Sequence, residues 1–450
     1  MSPVSAPPRR RGLPAPAWVA VSFLALIATG TLLLKLPPAT PGDQPIGWVD
    51  ALFTSTSASC VTGLVVRDTG TGFTPFGQGV LLLLFQVGGL GVMTFSLFYL
   101  VLGGRASVDQ RALVEQTLAG AANLRPRQLL RVVFLFTVAC EAAGSVALWV
   151  LFGDELGRSP WPAVFHAVSA FCNAGFSLLP DSLIHFRGHA GVNAVVMVLI
   201  VLGGLGFLAV TDLLRHRGRW RRLALHTKVA VAVSAVLVVL GAAAFWMIEG
   251  QRSLAGLGAG EQALASLFQS VTARTAGFNT VDIGALAPPT LLGLIVLMFV
   301  GGSPGSCAGG IKTTTAATLL LTLRAELSGR RHVNVFGRTL PRSAVAAAFA
   351  VTASALVAAN AGLFVLLLAE APFAGHASEA RFVDLAFESM SALATVGLST
   401  GLTPTLAPVS KLVLVVLMFF GRVGPLTLAA VLAGRRADDW RHPTEAVMIG

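Results

Sequence analysis

The sequence predicts an all-α membrane protein, with four pseudo-symmetric helix–re-entrant pore loop–helix repeats around one central pore and eight transmembrane helices. Three observations predict it. The 450 residues are 54% hydrophobic and only 12% charged, against about 25% charged residues in a soluble domain, and apolar stretches long enough to cross a bilayer recur along the whole chain. A short pattern ending in glycine and a large apolar residue occurs four times: Cys60-Val61-Thr62-Gly63-Leu64, Cys172-Asn173-Ala174-Gly175-Phe176, Arg274-Thr275-Ala276-Gly277-Phe278 and Ala394-Thr395-Val396-Gly397-Leu398. Each copy follows a short helical pattern and precedes a long apolar run with a second glycine patch, at Gly88-Gly89, Gly203-Gly204, Gly301-Gly302 and Gly421.

Residues 1–16, rich in Pro and Arg, form a disordered cytoplasmic N-terminus. The run from Ala17 to Leu36 is a first spanning helix, with no small-residue cleavage site just after it. Repeat 1 covers 17–104, a cytoplasmic connector 105–129, repeat 2 130–222, repeat 3 223–325, a second connector 326–341, repeat 4 342–436 and a cytoplasmic C-terminus 437–450. The spans fall at 17–36, 77–103, 130–152, 190–213, 226–249, 288–321, 342–369 and 408–433. Between the members of each pair lies a segment too short and polar to span, at 48–58, 161–172, 261–273 and 380–393. Asp50, Trp161-Pro162, Glu261 and Asp384 stand near the starts of these half-helices, where proline and acids suit a first turn. The connector from Arg105 to Arg131 reads as a polar amphipathic helix, and Arg215 to Arg222 as a tight basic turn.

The net charge of +11 does not point to nucleic acid. Its basic clusters, Arg9–Arg11, Arg105–Arg131, Arg215–Lys228, Arg324–Arg342 and Arg435–Arg441, fall at alternate ends of the apolar runs, and acids such as Asp50, Asp181, Glu249 and Glu370 occupy the other ends. That bias places both termini in the cytoplasm and requires an even number of spans. The four cysteines show neither a disulfide framework nor metal-ligand spacing. Cys60 and Cys172 hold the same place in two repeats and read as small filler residues.

Irregular backbone at membrane depth is tolerated only when it is buried in protein or lines a wet cavity. Four such loops therefore call for a shared cavity. Carbonyl oxygens can replace the water shell of a monovalent cation without a fixed charge that would trap it, and glycine permits the backbone that aims them. Gly63, Gly175, Gly277 and Gly397 meet that need, with Leu64, Phe176, Phe278 and Leu398 as apolar anchors and Thr62, Asn173, Thr275 and Thr395 as polar braces or ligands. Glycines in membrane helices also serve close packing; the fourfold recurrence after a half-helix favours the filter.

The third repeat holds a further break, Gly301-Gly302-Ser303-Pro304-Gly305-Ser306-Cys307-Ala308-Gly309-Gly310-Ile311-Lys312, which cannot remain helical. It lies just past the filter on the cytoplasmic side and reads as a loop obstructing the pore. Arg422, in Phe420-Gly421-Arg422-Val423-Gly424-Pro425, lies at a similar depth, and a charge there usually marks function. Lys312 reads more readily as snorkelling to the inner surface, and Arg274 as a brace facing away from the axis. His166 and Glu388 beside the filters read as half-helix residues rather than proton relays. No catalytic constellation or phosphate-cradling loop stands out.

The four filter segments, the loop from Gly301 to Thr315 and the arginine in Phe419-Phe420-Gly421-Arg422-Val423-Gly424-Pro425-Leu426 resemble the Trk/Ktr/HKT superfamily of potassium transporters, most closely its KtrB-type ion-translocating subunits. The resemblance covers residues 17–450. It implies that Gly63, Gly175, Gly277 and Gly397 are filter glycines and that glycine in all four repeats favours K+, members with serine in the first filter tending to pass Na+. Residues 301–312 match an intramembrane gating loop, and Arg422 the arginine that contacts it. The resemblance further implies a homodimer with one pore per protomer and a cytosolic ring of nucleotide-binding regulatory (RCK-type) subunits. Cys60, Cys172 and Cys307 stand where Thr or Ser is common.

The resulting expectation is potassium-selective uptake across a bacterial plasma membrane through a carbonyl-lined filter, gated by the loop and stimulated by Na+, with no enzymatic activity. One charge crossing 100 mV gains about 2.3 kcal/mol, enough for roughly a fiftyfold gradient. The alternative is a sodium- or proton-coupled carrier of a small solute, which needs a roomy midplane pocket with polar or acidic ligands.

Overall fold

The computed structural model describes residues 15–42, 44–102, 126–156, 158–371 and 378–424. The segments expected at 1–14, across most of the 105–129 connector and at 425–450 lie outside them. Fourteen helices matter to the site. In chain order they are α1 (Ala15–Leu34), α2 (Trp48–Ser59), α3 (Pro75–Leu102), α4 (Pro126–Phe152), α5 (Pro160–Cys172), α6 (Ala190–Leu205), α7 (Phe207–Arg215), α8 (Leu225–Glu249), α9 (Ala259–Thr272), α10 (Pro288–Phe299), α11 (Thr313–Leu327), α12 (Arg342–Glu370), α13 (Ser378–Leu393) and α14 (Pro408–Val423). A two-stranded hairpin, Asn334–Val335 paired with Arg338–Thr339, follows α11.

Four of the helices are long and apolar enough to cross a membrane: Ala17–Leu34, Leu130–Phe152, Leu225–Glu249 and Arg342–Glu370. Each is followed by one of the shorter helices α2, α5, α9 and α13, which packs back against it. Unlike the long helices, whose lipid-length surfaces are largely exposed, the short ones bury nearly all of their C-terminal halves, serines and threonines included. Their hydroxyls satisfy themselves on neighbouring backbone. Ser55 Oγ of α2 donates to the Ile27 carbonyl of α1 at 2.7 Å, Ser270 Oγ of α9 to Val238 O of α8 at 2.8 Å, and Ser389 Oγ of α13 to Ala359 O of α12 at 3.3 Å. The close approach needs small residues: a Cβ on Gly30 or on Gly241 would overlap the Ser55 or the Ser270 hydroxyl.

Two glutamates read from sequence only as outer-loop acids serve as helix caps. Glu249, at the end of α8, accepts from Ala287 N at 3.0 Å and from the Thr290 hydroxyl at 2.5 Å, at the start of α10. Glu370, at the end of α12, accepts from Ala407 N at 2.9 Å, at the start of α14. A carboxylate there satisfies an orphan N–H and meets the positive end of the helix. Asp50 of α2 pairs with Lys411 of α14 at 2.8 Å, tying the first quarter of the chain to the last.

The span expected as one helix over 190–213 is broken instead. Helices α6 and α7 meet at 100°, and the bend falls on Gly206, whose φ of +79° is open to glycine and resisted by other residues. A Cβ on Gly206 would lie 2.7 Å from Gly305 O, so the bend makes room for the loop from the third quarter. The span at 288–321 is divided into α10 and α11 by that loop, where the glycine-rich segment was expected to break it.

Glu249→Ala would leave the Ala287 amide and the Thr290 hydroxyl without their acceptor and should cost about 1–2 kcal/mol. Thermal unfolding of the detergent-solubilised protein checks this, and an unchanged midpoint would show that the cap contributes nothing.

Candidate functional site

Each short helix ends where the chain must turn sharply, and all four turns use one backbone pattern. Val61, Asn173, Thr275 and Thr395 adopt φ of +58°, +58°, +74° and +49°; two residues later Gly63, Gly175, Gly277 and Gly397 adopt +96°, +70°, +83° and +91°. The residue between them, Thr62, Ala174, Ala276 or Val396, keeps negative φ. Positive φ at a valine is a strained state that persists only where its surroundings over-determine it.

The surroundings do so through hydroxyls that sequence reasoning missed. Ser57 Oγ donates to Leu64 O at 2.7 Å and accepts from Gly63 N at 3.1 Å. Ser169 Oγ donates to Phe176 O at 2.8 Å, and Thr272 Oγ1 to Phe278 O at 2.6 Å. Ser391 Oγ accepts from Gly397 N at 3.1 Å. A Ser or Thr five or six residues before each glycine was the available signal. Backbone bonds repeat too: Thr62 N, Ala174 N and Val396 N reach Ser57 O, Ser169 O and Ser391 O at 2.7, 2.7 and 2.8 Å. Leu64, Phe176, Phe278 and Leu398 are fully buried behind the turns.

The four turns touch one another in a closed cycle. A Cβ on Gly63 would meet Ala174 O at 2.5 Å, one on Gly175 would meet Ala276 O at 2.9 Å, and one on Gly277 would meet Val396 O at 2.5 Å; one on Gly397 would overlap Thr62 O. In every case the atom approached is the carbonyl oxygen of the residue preceding the next glycine. All four glycines also line a single cavity of about 280 Å³, whose wall includes Asp68 and Asp181 and no cationic side chain.

Polar side chains of the short helices hold the outer edge. His166 Nε2 lies 2.9 Å from Ser177 Oγ, and its Nδ1 2.7 Å from Pro162 O. Glu388 accepts from the Ser399 hydroxyl, from Thr403 Oγ1 at 2.6 Å and from Thr400 N at 3.2 Å. Both residues brace the segment just after a turn.

The expected polar braces divide. Thr275 Oγ1 accepts from Gly309 N at 3.2 Å, whereas the buried hydroxyls of Thr62 and Thr395 have no partner among the described residues. Arg274 leaves the cycle and donates to Ser234 Oγ of α8 at 2.9 Å and to Gly301 O at 3.2 Å. Cys172 donates to Gln86 Oε1 at 3.2 Å and its sulfur lies, with that of Cys307, against Gly89, while Cys60 packs among residues of the first and fourth quarters.

Beneath the turns, residues 301–312 form a closed loop. Its neck is stitched by Gly301 N to Ile311 O, Ile311 N to Phe299 O and Thr313 N to Gly302 O, each 3.0 Å. Ser303, Ser306, Cys307 and Ala308 are buried, and the loop's hydrogen-bond partners come from the second, third and fourth quarters of the chain. Ser303 N and Cys307 N reach Gly204 O at 2.9 Å and Gly203 O at 3.1 Å. Gly309 abuts Thr395 and Ala394 so closely that a Cβ would overlap them. Arg422, buried on α14, donates from Nη1 to Cys307 O and from Nη2 to Gly88 O at 2.8 Å, clamping the loop to α3. Lys312 does not snorkel outward; its Nζ turns back to donate to Ala308 O at 2.6 Å. The second glycine patches seat α3, α6 and α14 on the short-helix ends: a Cβ on Gly88, Gly203 or Gly421 would overlap the carbonyl of Ser59, Phe171 or Leu393.

A family profile described as TrkH, cation transport protein, matches residues 17–435. The chain belongs to this family. The TrkH family is one of transporters, so the chain is not an enzyme. Among its relatives are two proteins named Ktr system potassium uptake protein B. The one from Bacillus subtilis is 37% identical over 440 residues, covering 97% of this chain and 96% of that protein; the one from Vibrio alginolyticus is 37% identical over 444 residues, covering 97% and 95%. The potassium/sodium uptake protein NtpJ of Enterococcus hirae is 37% identical over 442 residues, covering 96% of each. The crystal structure of the potassium transporter TrkH from Vibrio parahaemolyticus shares the fold with a TM-score of 0.75 at 19% identity, over 96% of this chain and 87% of that one.

Ser57→Ala would leave both the Gly63 amide and the Leu64 carbonyl buried without their partner. It should cost roughly 1–3 kcal/mol, read as a lowered melting temperature in detergent; an unaltered midpoint would mean the turn holds its shape without the hydroxyl.

Proposed function

We propose that this TrkH-family chain is the ion-translocating subunit of a potassium uptake system in a bacterial plasma membrane, with the cycle of four glycine turns as its selectivity filter. The observation that carries the reading is the shared register of the turns: four equivalent glycines, each against the neighbouring carbonyl, all open on one cavity. The names of the B. subtilis and V. alginolyticus relatives supply the ion, and the potassium/sodium name of the E. hirae relative accords with stimulation by Na+.

The polypeptide forms four helix–re-entrant loop–helix repeats with eight spans, in which α6 with α7 and α10 with α11 are broken members, and both termini face the cytoplasm. Backbone carbonyls of residues 60–63, 172–175, 274–277 and 394–397 replace the hydration shell of K+. Their dipoles attract without the deep well a fixed carboxylate would make, so the ion can leave again. Asp68 and Asp181 at the outer cavity raise the local cation concentration. The buried loop 301–312, held by Arg422, lies across the inner side and must move for ions to pass. Two protomers, each with its own pore, sit on a cytosolic ring of RCK-type regulatory subunits, as the resemblance to the Trk/Ktr/HKT superfamily implies; the names of the Ktr-system relatives accord with a partner subunit.

Rubidium uptake in a bacterium lacking potassium uptake, with and without a cytosolic partner, tests the assignment; the carrier alternative requires instead that a small organic solute be moved. Gly63→Ser places a side chain against Ala174 O and should lower K+ over Na+ preference by about tenfold, or about 1.4 kcal/mol. Equal relative permeabilities in variant and parent would remove the filter assignment.

Arg422→Gln takes away the guanidinium that joins Cys307 O to Gly88 O, and deletion of Ser303 to Gly309 takes away the obstruction. Each should raise rubidium flux severalfold in proteoliposomes. A folded protein with unaltered flux in both cases would rule the loop out as a gate.

A further inference from the structure

A second cavity, of about 700 Å³, opens at the basic ends of the helices, between α8, α11 and the 334–339 hairpin. It lies far in sequence from the filter turns and shares no lining residue with them. Its lining includes Arg221, Arg222, Lys228 and Arg338 together with aliphatic residues such as Val229 and Leu321. No carboxylate lines it. The nearest acid of the preceding helix, Asp212, is already engaged by His216 at 2.9 Å and by Ala224 N at 3.0 Å. His226, which lines the same cavity, has a buried Nε2 with no partner among the described residues. At the rim the exposed rings of Trp220 and Phe336 meet edge to face, 5.9 Å apart.

Four cations among aliphatic residues in one recess suit a ligand with anionic and aliphatic parts. An aromatic pair at the rim is characteristic of the level where headgroups meet acyl chains. Basic pockets between membrane helices at that level take the phosphates of acidic lipids, and the volume is ample for a headgroup. A nucleotide or free phosphate would satisfy the cations and leave the aliphatic residues idle; a cytosolic protein would not need the recess. We propose that this cavity is a binding site for an anionic phospholipid, its phosphate held by Arg221, Arg222 and Arg338 and its chains laid along α8 and α11. The bound lipid bridges the α8 end and the helix that emerges directly from loop 301–312, so it couples membrane composition to the foot of that loop.

The test is native mass spectrometry of the full-length protein in neutral detergent, with cardiolipin against phosphatidylcholine of matched chains. The parent should retain cardiolipin preferentially. The variant Arg221→Gln/Arg222→Gln/Arg338→Gln should lose that preference by about fivefold per arginine, on the order of a hundredfold together. Arg330→Gln/Arg331→Gln/Arg342→Gln, which removes the same charge from exposed positions outside the cavity, should keep it. The readout is independent of transport, so it can fail while the uptake reading stands, and the reverse. Equal cardiolipin retention by parent and first variant would overturn the site. So would an equal loss in the second variant, which would mean diffuse surface charge. Displacement of the lipid by millimolar inorganic phosphate would assign the cavity to a soluble anion instead. If the first variant bound lipid normally but lost stimulation by a cytosolic partner, the face would be a protein dock.

Discussion

The structure depends on a distance of approach between backbones. Four turns from four distant parts of the chain meet so closely that the carbonyl of one fills the place where the next would carry a Cβ. Only glycine allows it, because the same residue must also take a φ that L side chains resist. A cycle of contacts made in this way has no free end, so a change at any one turn is felt by two neighbours. The strain stored at Val61, Asn173, Thr275 and Thr395 is held in place by that closure, by hydroxyls of the short helices and by the apolar residues buried just behind.

The loop beneath is built on the opposite principle. Its neck is a short stitched stem, but its tip makes few bonds to itself and many to others: Gly203 and Gly204 on one side, Thr275 above, Arg422 across. Such a segment has no structure of its own to defend. Its position is the sum of contacts with elements that surround the four turns. The bend at Gly206 belongs to the same arrangement, since a straight helix there would occupy the space of residues 304 and 305.

Much of this was legible because it repeats. The half-helix expected over 161–172 runs from Pro160 to Cys172, and that over 48–58 from Trp48 to Ser59. A proline or an acid near the start of a half-helix and a glycine just past its end are local signals, and four copies average out their noise. What escaped was less periodic. The Ser57, Ser169, Thr272 and Ser391 hydroxyls look like ordinary small residues in a serine-rich helix, and in the third copy the spacing is one residue shorter. Glu249 and Glu370 were visible as acids, but their role as caps depends on which helix start lies opposite. Gly206 stood three residues beyond Gly203 in a glycine-rich run whose hydropathy continued unbroken, and hydropathy carries no information about handedness. Lys312 followed a general rule about long side chains near membrane ends that a nearby carbonyl, Ala308 O, overrode.

The same logic explains why the third quarter alone departs from the pattern. In the other three, a glycine of the following helix seats directly on the carbonyl at the end of the short helix: Gly88 on Ser59, Gly203 on Phe171, Gly421 on Leu393. In the third, Gly301 abuts Gly309 and the Thr275 methyl, and Arg274 supplies a donor to the Gly301 carbonyl. The chain there has exchanged a helix–helix contact for a loop–loop contact, and an arginine stands where the other repeats have a cysteine or an alanine. Arg274 and Arg422 thus do related work at two levels: each donates to one loop carbonyl, Gly301 O or Cys307 O, and to one neighbouring helix, at Ser234 of α8 or Gly88 of α3. If the loop moves, as proposed above, those two carbonyls need other partners, and water entering the cleared space would supply them.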